Sequence, residues 1–85
     1  MGKHEKILWR ILSGRSDSNI KFSDLRALLI DLGFAERTQG SHHMYSRSGV
    51  EELLNLQRDG NKAKAYQVRQ VRELILKYGL GEIDE

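Results

Sequence analysis

The chain has 85 residues, 39% of them hydrophobic and 31% charged, with a net charge of +2, no cysteine and no proline. That length accommodates one hydrophobic core and excludes two, so a single domain over residues 1–85 is expected, and a domain this small buries only roughly 60% of the surface its unfolded chain exposes. Without cysteine there is no disulfide, thiolate nucleophile or thiolate metal ligand, which makes a reducing, cytoplasmic compartment the expectation. The longest apolar run, Ala27-Leu28-Leu29-Ile30, falls far short of the ~20 residues that span a membrane, and no export signal precedes it.

The first element is a helix over Lys3–Leu12, where Ile7, Leu8, Ile11 and Leu12 form one apolar face. Ser13-Gly14-Arg15-Ser16-Asp17-Ser18-Asn19 is dense in turn formers and reads as a mobile surface loop. Ser23 then offers an N-cap to a second helix with Leu25, Leu28, Leu29 and Leu32 on one face, and Gly33 supplies its left-handed stop. Phe34 to Gln39 and His42 to Ser46, joined by the turn Gly40-Ser41, read as a hairpin. After the turn Arg47-Ser48-Gly49, Val50 to Gln57 reads as a third strand, although Glu51-Glu52-Leu53-Leu54 also tolerates a helical turn.

Arg58 to Lys64, with Gly60 and Asn61, reads as a loop. A last helix over Tyr66–Tyr78 carries Val68, Val71, Ile75 and Tyr78 on its core stripe and ends at Gly79. Trp9, Phe22 and Phe34 are expected in the core rather than as base-stacking platforms. The ends, near residues 1–3 and 81–85, are expected to fray. The order is α-α-β-β-β-α: an α+β domain whose three-stranded antiparallel sheet is covered by helices on one face and open on the other.

His42 and His43 are adjacent in a strand and so point to opposite faces. Tyr45 shares a face with His43, and Met44 with His42. If Tyr45 packs on the helices, His42 stands on the open face beside the Gly40-Ser41 turn, where an imidazole titrating near neutrality can give or take a proton. Read locally, the same pair also fits two edge-strand histidines without a role. A metal site has no obvious source of ligands, because the two rings diverge and no further ligand motif accompanies them. The basic residues concentrate late in the chain. Arg58, Lys62, Lys64, Arg69, Arg72 and Lys77 stand against Asp59 and Glu73, while Glu82, Asp84 and Glu85 in the tail mask this balance. Lys62, Lys64, Arg69 and Arg72 are the candidates for contact with an RNA backbone, and a merely solvated helix face has the same pattern.

The run Phe22-Ser23-Asp24-Leu25-Arg26-Ala27-Leu28-Leu29-Ile30-Asp31-Leu32-Gly33-Phe34, followed five residues later by Gly40-Ser41-His42-His43-Met44-Tyr45, resembles the HicA (YcfA-like) toxin family. The similarity continues through Gly49–Gln57 and Ala63–Arg72 and ends at Leu76-Lys77-Tyr78-Gly79-Leu80, covering roughly residues 7 to 80. One departure stands out: HicA-like chains often carry a proline in the loop after the third strand, and this chain has Arg58 there. The resemblance implies a fold similar to double-stranded RNA-binding domains and a ribosome-independent mRNA interferase neutralised by a HicB-like antitoxin. It implies His42, after the Gly40-Ser41 pair, as the catalytic histidine, with His43 the fallback. The expected activity is then a metal-independent endoribonuclease without cofactor, in which His42 activates a ribose 2′-OH and cations hold the phosphate. Tyr45, Lys64 or water remain open as the acid. The alternative expectation is a non-catalytic RNA-binding module.

Overall fold

The computed structural model describes residues 3–80, with side chains from Glu5 onward. Its elements are α1 (Lys3–Ser13), α2 (Phe22–Asp31), β1 (Ala35–Gln39), β2 (His42–Ser46), β3 (Leu54–Leu56), β4 (Arg58–Asp59), β5 (Lys62–Ala63) and α3 (Ala65–Tyr78). The α-α-β-β-β-α order is thus present, with a short β4–β5 ribbon inserted before the last helix. Of the ends expected to fray, only Lys3, which opens α1, falls within the described residues.

The main sheet is antiparallel in the order β1-β2-β3, so β2 is paired on both sides. One face meets the helices. Tyr45, Leu54 and Leu56 are buried there with Ile7, Leu8 and Ile11 of α1, Phe22, Leu25, Leu28 and Leu29 of α2, and Val68, Val71, Leu74 and Ile75 of α3. The other face carries Ala35, Arg37, Gln39, His42, Ser46 and Asn55, all exposed, with Met44 half-buried. Phe22 and Phe34 are in the core as expected, but Trp9 is 66% exposed. At about 100° per residue, Trp9 points well away from the stripe that Ile7, Leu8, Ile11 and Leu12 define.

Local chemistry explains most element ends. Gly33 closes α2 in a Schellman arrangement: its N–H donates to Ile30 O at 3.0 Å and that of Phe34 to Leu29 O at 3.0 Å, with Gly33 at φ 95°. The β1–β2 hairpin turns on two residues. Gly40, at φ 61°, takes the first central position, which in a II′ turn calls for glycine. The Gly60-Asn61 turn joins β4 to β5 in the same way, so the segment expected to be a loop is a second hairpin.

That hairpin also starts α2. The helix opens at Phe22, not after Ser23, and Lys21 at its N-cap makes no side-chain cap. Its first turn is served from outside, where Phe22 N–H donates to Asn61 O at 2.9 Å; just ahead of the helix, Ala63 N–H donates to Ile20 O at 2.9 Å. A tertiary contact therefore replaces the expected serine cap.

Two further segments differ from expectation. Residues 13–19 are tied down instead of mobile. Asp17–Asn19 form a 3₁₀ turn, Arg10 Nη2 donates to Asn19 O at 2.9 Å, and Arg72 Nη1 reaches Ile11 O at 3.1 Å and Asp17 Oδ1 at 2.9 Å. The third strand is confined to Leu54–Leu56. Ahead of it, Glu52 is drawn to the end of α3, accepting from Lys77 Nζ at 2.8 Å and from Tyr78 Oη at 2.6 Å.

β3 ends against a buried amide. Gln67, on the first turn of α3, is 1% exposed. In the orientation that satisfies both its groups, it donates to Gln57 O at 3.0 Å and accepts from Gln57 N at 3.1 Å. Replacing Gln67 by Leu strands both backbone groups and should cost about 1–3 kcal/mol in urea unfolding. Faster hydrogen exchange at the Gln57 amide is expected alongside it.

Candidate functional site

His42 and His43 leave β2 in opposite directions. His42 is exposed on the open sheet face, and its Nδ1 lies 3.0 Å from Asn55 Oδ1. The pair is diagonal. Met44 is the residue opposite Asn55, so the imidazole reaches across one step of the pleat. Arg37 shares this face from β1, opposite Met44, and its side chain makes no ion pair or hydrogen bond among the described residues.

His43 turns toward the helices, with its side chain 16% exposed and its ring 4.9 Å from that of Phe22, tilted by 59°. Its Nδ1 is buried without a hydrogen-bond partner. Glu36 Oε2 is 3.7 Å away, beyond hydrogen-bond distance. The fallback histidine thus faces the core side of the sheet rather than its open face.

Glu36 gathers the polar groups beneath the sheet. Arg26 of α2 binds it through two contacts, Nε to Oε2 at 2.6 Å and Nη2 to Oε1 at 2.8 Å, and Tyr45 Oη donates to Oε2 at 2.6 Å. The Arg26 guanidinium first, and the Tyr45 hydroxyl after it, hold the Glu36 carboxyl at about 2. Burial, and then the bond to Glu36, push the Tyr45 hydroxyl up. Tyr45 is fully buried and its proton is committed to Glu36, which removes it from the groups open as a proton donor to a substrate.

The turn residues Gly40 and Ser41 are exposed, and Gln57 Nε2 approaches Ser41 Oγ at 3.4 Å. The turn beside His42 therefore abuts the start of the β4–β5 hairpin. Lys62 lies on that hairpin, exposed, with half-buried Lys64 just after it. Lys21 and Lys62 face each other across an antiparallel bridge, an arrangement of like charges that repels unless an anion lies over it. Asp59, opposite Lys62 in the hairpin, offsets part of that charge. Arg58 sits over the Phe22 ring at 4.9 Å.

The helix candidates separate. Arg69 is exposed on α3. Arg72 is engaged with Ile11 O and Asp17, its side chain 20% exposed, and so ties α3 to the turn after α1. Residue spacing alone does not bring out Lys21, Arg37 or Asn55. Lys21 lies in a different part of the chain from the late basic cluster, and the last two share the His42 face only through strand register. Among the described residues no group of three or more His, Asp or Glu side chains is gathered to hold a metal ion. No helix among them is long and apolar enough to cross a membrane. Comparison with protein-family models, curated proteins and solved structures found no match to this chain.

Two outcomes follow from this geometry. A carboxyl held low contributes stability that is complete above its unfolded value, near 4.5, and is lost as pH falls toward about 2. Wild type should therefore exceed Glu36→Gln in urea unfolding at pH 6, with the gap closing between pH 4.5 and 2. Glu52, likewise held at about 2 by Lys77 and Tyr78, is common to both proteins and cancels from the difference. Separately, Arg72→Ala should lower stability by about 1–3 kcal/mol by stranding Asp17 and Ile11 O, whereas Lys62→Ala should stay within about 0.5 kcal/mol. Equal losses in the two variants would contradict the anchoring role of Arg72.

Proposed function

We propose that this chain is the toxin of a HicA/HicB-type system, a cytoplasmic endoribonuclease that cleaves mRNA with His42 as its proton acceptor. The observation that carries the reading is the exposed His42 imidazole on an open sheet face, beside a turn that abuts a hairpin with the exposed Lys62 on it and Lys64 just after it. The resemblance of residues 7 to 80 to HicA-like chains, with His42 directly after Gly40-Ser41, supports it. The same resemblance supports a relation to double-stranded RNA-binding folds and a HicB-like antitoxin as the partner.

In this mechanism the phosphate lies against Lys62 and Lys21, with Arg37 the cation available on the histidine's own face. The His42 ring takes the proton of the ribose 2′-OH. The 2′-oxygen forms a bond to the adjacent phosphorus, the bond to the 5′-oxygen breaks, and water supplies the proton that the leaving oxygen requires. The products are a 2′,3′-cyclic phosphate and a 5′-hydroxyl. DNA lacks the nucleophile and is not cleaved by this route. The chemistry calls on no metal, since the cations that neutralise the phosphate belong to the protein.

A second reading, a non-catalytic RNA-binding module, rests on the same lysines without His42. The two readings part in one assay. Wild type and His42→Ala are incubated with a defined RNA in EDTA and the ends of any fragments are examined. The ribonuclease reading expects cyclic phosphate ends from wild type and a rate lower by ~10²-fold or more in the variant, the scale of general base catalysis. Salt-sensitive binding without any product would leave the binding module standing. Undiminished cleavage by His42→Ala would remove the histidine from the mechanism.

A further inference from the structure

Resting on the ribonuclease reading, we infer that Asn55 is a positioning residue that fixes the proton of neutral His42 on Nδ1 and leaves Nε2 as the atom that accepts the substrate proton. The contact itself is the Nδ1···Oδ1 approach of 3.0 Å between exposed side chains on neighbouring strands. An amide oxygen has no proton to give, so a hydrogen bond at this position requires the ring to carry its proton on Nδ1. The lone pair of the neutral ring then lies on Nε2, directed away from Asn55.

The choice of an amide matters. A carboxylate here would stabilise the imidazolium and hold the base in its protonated form. The neutral amide oxygen accepts from Nδ1–H in both the free base and the protonated ring, so the contact persists while Nε2 takes up and releases the proton. Backbone geometry supports this role. Asn55 is the middle residue of β3, in register with Met44, and its neighbours Leu54 and Leu56 are both fully buried. The strand cannot slip by one residue without exposing them, so Asn55 is held on the His42 face. Arg37 is the charged side chain sharing that face from β1, and β3 contributes none, which leaves the Asn55 amide as the ring's direct partner.

The test reads the ring directly. Ring nitrogen shifts of ¹⁵N-histidine-labelled full-length protein are measured at alkaline pH, where histidine rings are neutral, with His42→Gln identifying its signals. Wild type should show the Nδ1–H tautomer, and Asn55→Ala should lose that preference while its amide spectrum remains folded. An Nε2–H ring in wild type, or an unchanged tautomer in Asn55→Ala, overturns the inference whether or not the protein cleaves RNA. Conversely, absence of cleavage by a wild type that shows Nδ1–H counts against the ribonuclease reading and leaves the tautomer assignment intact. In the cleavage assay, Asn55→Ala should lower kcat roughly ten-fold or more, short of the His42→Ala loss, with KM little changed. Asn55→Asp should restore the Nδ1–H tautomer and move the acid limb of the pH–rate profile to higher pH.

Discussion

The inward packing of Tyr45 fixes the parity of the central strand, and everything on the open face follows from it. Side chains alternate along β2, so burying Tyr45 turns His43 toward the helices and His42 away from them. A slip of one residue would bury His42 and expose Tyr45, together with the hydrogen bond its hydroxyl gives to Glu36. Glu36 strengthens the lock, because it is held by Arg26 of α2 as well. A buried phenol, a carboxylate and a guanidinium on three elements thus determine where an exposed imidazole stands.

The parts that were legible in the sequence are those specified by local pattern. The apolar faces of the three helices, the glycine stop at Gly33 and the Gly40-Ser41 hairpin each depend on a few neighbouring residues. So does the alternation that separates His42 from His43. What was not legible depends on distant partners. Ser23 reads as a cap, yet α2 begins at Phe22 because the carbonyl of Asn61 supplies the first turn's partner. Arg72 reads as a surface cation, and only the return of α3 past the 3₁₀ turn shows that Asp17 occupies it. The Gly60-Asn61 turn is the exception, since Gly-Asn between short strands is a hairpin signal that the surrounding polar residues disguised.

The same division applies to the candidate site. The histidine and its turn are visible in the consecutive residues Gly40-Ser41-His42, whereas Asn55 and Arg37 join them only once the registers of β1–β2 and β2–β3 are known. The cationic surface is likewise rearranged. Lys62 lies beside Lys21, a residue forty-one positions away, because the β4–β5 hairpin pairs with the segment entering α2. A phosphate chain crossing from the open face to that hairpin would meet charge from three separate parts of the sequence.

Gln67 has a consequence beyond holding α3 against the sheet. Sheets are vulnerable at their rims, where unpaired N–H and C=O groups invite a strand from another molecule. At Gln57 those two groups are already occupied by a side-chain amide that imitates a neighbouring backbone. The ladder is therefore sealed where β3 ends, and a second copy of the chain has no free backbone there on which to extend the sheet.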